Sequence, residues 1–162
     1  MNIININETL SGAVLDKLIK FYNKRHNDAD CTIYISTSGG CTLATEAIID
    51  LINRYKSITT IIAYGKLFSS GFDVFFRTSC KKILLPSSVG MYHLSSLELT
   101  YNENGKPNYK SDVQDLKYIK AQKERTMSVA TSLNFTEKES KKLSKGKDVY
   151  FQYNRLKELL EN

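Results

Sequence analysis

Ser69, at the start of Ser69-Ser70-Gly71, His93, and the pair Gly39-Gly40 are the residues of this chain best suited to acyl transfer. Attack on a carbonyl needs a nucleophile, a base within hydrogen-bond reach, and N–H donors aimed where the oxyanion forms. A serine hydroxyl is a weak nucleophile until a neutral imidazole takes its proton. Glycines let backbone amides approach a substrate closely, and a helix N-terminus adds positive dipole character. Both glycine segments fall where an apolar run gives way to helical spacing. Taken singly, each feature also has a plainer role: a turn, a helix N-cap, a packed histidine on an apolar strand. Their order along one chain is what joins them.

The elements that must position these residues alternate. Leu10, Val14, Leu18 and Phe21 fall at helical spacing, and the run dissolves into polar residues over 23–30. Cys31-Thr32-Ile33-Tyr34-Ile35 is short, apolar and β-branched, which predicts a buried strand ending at the turn 36–40. Leu43, Ala47, Ile48, Leu51 and Ile52 return to helical spacing over 42–56, and 57–64 reads as a second fully buried strand. The segment 65–71 interrupts the chain, a short helix runs through Phe76, and 81–85 forms a third strand ended by Pro86. A fourth strand over 89–94 carries His93. This alternation predicts an α/β fold with parallel pairing through crossovers.

Beyond it, Leu97, Leu99 and Tyr101 before Asn104-Gly105 predict a small hairpin over 97–109. A long helix over 109–132 has an apolar stripe that narrows around Lys120 and Lys123, which predicts that part of it packs on a partner. Thr136-Glu137-Lys138-Glu139 is a capping-box sequence for a helix ending near Gly146. Val149-Tyr150-Phe151 is strand-like, and Leu156, Leu159 and Leu160 follow at amphipathic spacing.

Composition narrows the classes. The chain of 162 residues, 41% hydrophobic with ten Tyr and seven Phe, is the size of one domain with a real core. Its longest apolar runs fall far short of the roughly 20 residues that span a bilayer, and no secretory leader opens it, which predicts a cytoplasmic protein with no membrane role. Cys31, Cys41 and Cys80 match no metal or redox spacing, so we expect small buried or half-buried thiols and no metal or organic cofactor. The net charge of +6 is spread among acids along helical stretches, which argues against a nucleic-acid footprint.

Four segments in order, Ile33-Tyr34-Ile35-Ser36-Thr37-Ser38-Gly39-Gly40, Ala47-Ile48-Ile49-Asp50, Gly65-Lys66-Leu67-Phe68-Ser69-Ser70-Gly71, and Leu85-Pro86-Ser87-Ser88 leading to Met91-Tyr92-His93, resemble the Clp protease proteolytic subunit (ClpP) family. The resemblance covers about residues 8–160. It implies a crotonase-like spiral of βα units with a mostly parallel sheet, in a single domain 1–162 whose head is 1–108 and 133–162 and whose projecting handle helix is about 109–132. It implies a serine endopeptidase with Ser69 as nucleophile, His93 as general base, and the backbone amides of Gly40 and Ser70 as oxyanion hole. The implied substrate is unfolded polypeptide, cleaved inside a chamber of heptameric, stacked rings served by an AAA+ unfoldase.

The chain departs from the family pattern at several positions. Ser144 stands where the family's triad Asp is expected, and Asp148 lies four residues beyond. Asp148, Ser144, or no residue at all therefore stand as alternatives for the third member. Leu67 and Phe68 are bulky where the family is small, Ser38 replaces a proline, and Leu94-Ser95-Ser96-Leu97 replaces a glycine-rich strand. The chain also begins near its first helix, where the family carries the segment that forms axial loops. Two rival functions follow: an impaired subunit that assembles with an active paralogue, and a crotonase-type acyl-CoA enzyme.

Overall fold

The computed structural model describes residues 2–24, 29–94 and 112–161, with the side chains of 112–119 outside the description. The hairpin expected over 97–109 lies outside these residues. The described chain divides into two compact units, Met1–Tyr92 with Tyr150–Asn162, and His93–Val149.

In the first unit, β1 (Asn2–Ile6) pairs parallel with β2 (Cys31–Thr37), and β2 pairs parallel with β3 (Thr59–Phe68). Strand β3 serves two partners. Its first half pairs parallel with β4 (Lys81–Leu84), and its last three residues pair parallel with β5 (Val89–Tyr92). The sheet order is β1-β2-β3-β5-β6, where β6 is Val149–Phe151. Parallel neighbours cannot be joined by a tight hairpin, and α1 (Gly12–Asn23), α2 (Thr42–Arg54) and α3 (Ser70–Arg77) supply the return connections.

Burial explains which residues chose these elements. Along β2, Cys31, Ile33, Ile35 and Thr37 are buried while the residues between them are half-buried, so the sheet has one covered face. Val14 and Leu18 of α1, Ile48 and Ile52 of α2, and Phe72 and Phe75 of α3 complete that core with Ile61 and Ala63 of β3. The Tyr22 ring stacks on Tyr55 at 4.3 Å, and its hydroxyl meets Thr59 Oγ1 at 3.0 Å. Burial pushes that phenol up to about 12. The C-terminal helix α6 (Tyr153–Glu161) buries Leu156 and Leu159.

In the second unit, α4 (Asp112–Ser132) buries Thr126, Val129 and Ala130 near its C-terminal end and packs on α5 (Glu137–Ser144). The capping box expected there forms: Glu139 N–H donates to Thr136 Oγ1 at 3.2 Å, and Thr136 N–H donates to the Glu139 carboxylate at 2.7 Å.

Five details differ from the sequence reading. Strand β1 was not expected, because its isoleucines are interleaved with asparagines, yet Ile4 and Ile6 are buried against β2. The strands read as fully buried keep one face half-exposed, with Tyr34 and Tyr64 meeting edge to face at 6.4 Å. Strand β3 continues through 65–68 instead of breaking at Gly65. A bulge absorbs the glycine: Ile35 pairs with Ala63 and Thr37 with Leu67, and Ser36 Oγ accepts the Lys66 amide at 3.0 Å. Strand β5 ends at Tyr92, so His93 lies just past the strand. Cys31 and Cys80 are buried thiols as expected, but Cys41 is exposed, because it caps α2 at the surface.

Candidate active site

Ser69 sits on the one-residue corner between β3 and α3, where its backbone takes φ 52, ψ −121. That region is sparsely populated for any residue with a Cβ and costs about 1–3 kcal/mol. A serine acting only as an N-cap would be extended and would bond its hydroxyl into the first turn; Ser69 does neither. The surroundings hold the corner in place. Ser69 N–H donates to the Met91 carbonyl of β5 at 2.8 Å, and the Ser69 carbonyl accepts the Phe72 and Asp73 amides at 2.9 and 3.3 Å. A sharp strand-to-helix corner of this kind lifts a serine Oγ off the end of a sheet.

The second glycine turn packs directly on this corner. A Cβ on Gly39 would lie 2.9 Å from both the Phe68 carbonyl oxygen and Ser69 Cβ, and one on Gly40 would collide with the Leu10 backbone. Only glycine permits these two approaches. Leu10 bridges the turn, donating its amide to Gly39 and accepting the Cys41 amide, both at 2.9 Å. Ser70 Oγ donates to the Gly40 carbonyl at 3.1 Å, which ties the two turns together. Among the described residues, neither the Gly40 nor the Ser70 amide donates to a protein acceptor. Ser70 is the first residue of α3, where helix N–H groups lack internal partners. Thr37 braces the loop, donating Oγ1 to the Glu8 carbonyl at 2.7 Å and accepting the Gly39 amide at 3.1 Å.

His93, Asp148 and Ser144 belong to the second unit. His93 Nδ1 lies 3.6 Å from Asp148 Oδ1, with the two side chains 31% and 44% exposed. That separation is an ion-pair distance, longer than a formed hydrogen bond. Ser144 Oγ instead donates to the Lys141 carbonyl of its own helix at 3.1 Å. The structure thus brings Asp148 to the imidazole and turns Ser144 back onto α5.

Two features near Ser69 go beyond the sequence reading. Phe68, noted as bulky, meets the exposed Tyr150 edge to face at 6.3 Å. Asp73, on an otherwise apolar and aromatic helix, accepts the Tyr92 hydroxyl at 3.0 Å and faces Arg77 at 3.9 Å. Its one sequence signal was the i,i+4 spacing to Arg77; the Tyr92 partner is a matter of tertiary packing.

Comparison with known proteins points one way. The fold matches the structure of a ClpP1 mutant from Listeria monocytogenes with a TM-score of 0.71 over 98% of this chain and 86% of that one, at 18% identity. The proteolytic subunit of the ATP-dependent Clp protease from three strains of Streptococcus thermophilus is 29% identical over 89 residues, 54% of this chain. The aligned stretch spans just under half, 45%, of those relatives. The Clp protease family model matches residues 2–151, nearly the whole sequence, and on that ground the chain belongs to the Clp protease family.

Proposed function

We propose that this chain is a serine endopeptidase that cleaves unfolded polypeptides inside an oligomeric chamber. Ser69 Oγ attacks the scissile carbonyl, and His93 takes the hydroxyl proton and returns it to the leaving amine. The Gly40 and Ser70 amides donate to the oxyanion. Asp148, and not Ser144, orients the imidazole. The observation that carries this reading is the Ser69 backbone at φ 52, ψ −121, strain that a structural serine has no reason to hold. Family membership supports the rest: heptameric rings stacked through the helix of about 109–132, the division of the chain into head and handle, an AAA+ unfoldase as feeder, and a cytoplasmic setting.

A second reading is favoured by one observation. His93 Nδ1 and Asp148 Oδ1 stand 3.6 Å apart on partly exposed side chains, and a triad without its orienting carboxylate can lose up to about 10⁴-fold in rate. On that reading the chain is an impaired subunit that assembles with an active paralogue. Light scattering on the purified chain, followed by hydrolysis of an unfolded fluorogenic protein by the assembled fraction, separates the two. Turnover that falls at least about 100-fold in Ser69→Ala and His93→Ala supports the enzyme. Assembly with turnover equal to that of Ser69→Ala supports the impaired subunit, and a persistent monomer contradicts the chambered enzyme.

A further inference from the structure

Asp73 lies one turn into α3, and its amide reaches back to the Ser69 carbonyl at 3.3 Å. Its side chain is only 18% exposed, and the proposed chemistry does not use it. A carboxylate removed from water needs partners. The Tyr92 hydroxyl of β5 donates to Oδ1 at 3.0 Å, and Arg77 Nη1 of α3 stands 3.9 Å from the same oxygen. That guanidinium is gripped in turn by Glu46 of α2, with two hydrogen bonds of 2.7 and 2.9 Å. Among the described residues, Tyr92, Arg77 and, through Arg77, Glu46 are the titratable groups facing Asp73.

The place of Tyr92 gives this network its consequence. Tyr92 ends β5; His93 follows it in the chain, and Met91 before it accepts the Ser69 amide at 2.8 Å. The Ser69 to Met91 bond and the Tyr92 to Asp73 bond therefore tie the same two segments, the β3–α3 corner and the end of β5. The Phe72 ring packs on Tyr92 at 4.7 Å between them.

We infer that Asp73 is a positioning residue, which acts through Tyr92 to clamp the Ser69 corner to the end of the strand that leads into His93. The inference rests on the reading of Ser69 as nucleophile. Burial raises the carboxyl to about 6, against the smaller opposing pull of Arg77 and Tyr92. Above that pH a charged acceptor holds Tyr92; below it a neutral acid holds it less firmly. The clamp thus loosens as pH falls through about 6, and the reactivity of Ser69 falls with it.

Two readouts on Asp73→Ala, Asp73→Asn and Tyr92→Phe test this: hydrogen exchange of the Ser69 amide, with the Ile33 amide of β2 as control, and the rate at which a fluorophosphonate captures Ser69 between pH 5 and 8. We expect Asp73→Ala and Tyr92→Phe each to speed Ser69 exchange and slow capture by about tenfold, leaving Ile33 unchanged. Asp73→Asn keeps an acceptor, restores most of both, and flattens the step in capture near pH 6. Unchanged Ser69 exchange in Tyr92→Phe overturns the clamp. Faster exchange with an unchanged capture rate also overturns the positioning role, leaving Asp73 purely structural. If no protein, wild type included, captures the probe while exchange responds as expected, the clamp stands and the nucleophile reading falls.

Discussion

At the residue scale, Ser69 and Asp73 mark two departures from what a stable fold alone would select: a strained serine corner and, one turn later, a carboxylate drawn out of water. The second has a pH signature in stability. The folded chain holds the Asp73 proton to about 6, against an ordinary value of 3.8, so it binds that proton more tightly than the unfolded chain does. The resulting stabilisation is fully present below pH 4 and is lost as pH rises through 6. A rise of that size in a carboxyl this well buried corresponds to about 3 kcal/mol. Asp73→Asn, which does not titrate, is therefore expected to gain stability relative to wild type between pH 4 and pH 7 by up to that amount. Urea unfolding of both proteins at the two pH values checks the sign; a wild type whose deficit does not grow with pH contradicts the assignment.

At the element scale, α3 is the part on which the site depends, and aromatic packing fixes it. Phe72 is fully buried, with ring centroids 4.4 Å from Phe76, 4.7 Å from Tyr92 and 5.5 Å from Phe151 of β6. Phe72→Ala should cost about 3–5 kcal/mol in denaturant unfolding, while Ile83→Ala, on the exposed face of β4, should cost much less. Much of this level was legible in the sequence. The β-branched runs gave β2 and β3, the apolar run stopped by Pro86 gave β4, the 3.6-residue spacing gave α1 and α2, and the Thr136 box gave the start of α5. The misses share one cause, that local pattern does not report pairing. Strand β1 is recognisable only once β2 stands beside it, Gly65 reads as a break until a bulge accommodates it, and β5 stops at Tyr92 because β3 ends at Phe68, opposite Met91. The site divides in the same way. Ser69 and Gly40 were visible as residue types at turns and His93 as a histidine on an apolar strand, whereas the choice of Asp148 over Ser144 beside His93, and of Tyr92 beside Asp73, is made by tertiary contacts.

At the scale of the whole molecule, the chain carries the fold of a ClpP structure and membership of the Clp protease family. Among the described residues, part of the positive charge is paired along helices, as in Lys120 with Glu124 and Arg155 with Glu158, the pattern of solvated faces. No helix among the described residues is long and apolar enough to cross a membrane. Large apolar side chains remain open to water in the first unit, Leu43 at 72%, Tyr150 at 66% and Ile3 at 50%. Chambered cleavage has meaning only if Ser69 is a working nucleophile. The direct measurement is capture of a fluorophosphonate by the assembled protein, with the modified residue located by mass spectrometry. A single adduct on Ser69 is expected, absent from Ser69→Ala and slowed at least about 100-fold in His93→Ala. An assembled wild-type protein that stays unmodified, or an adduct on any other residue, contradicts Ser69 as the nucleophile.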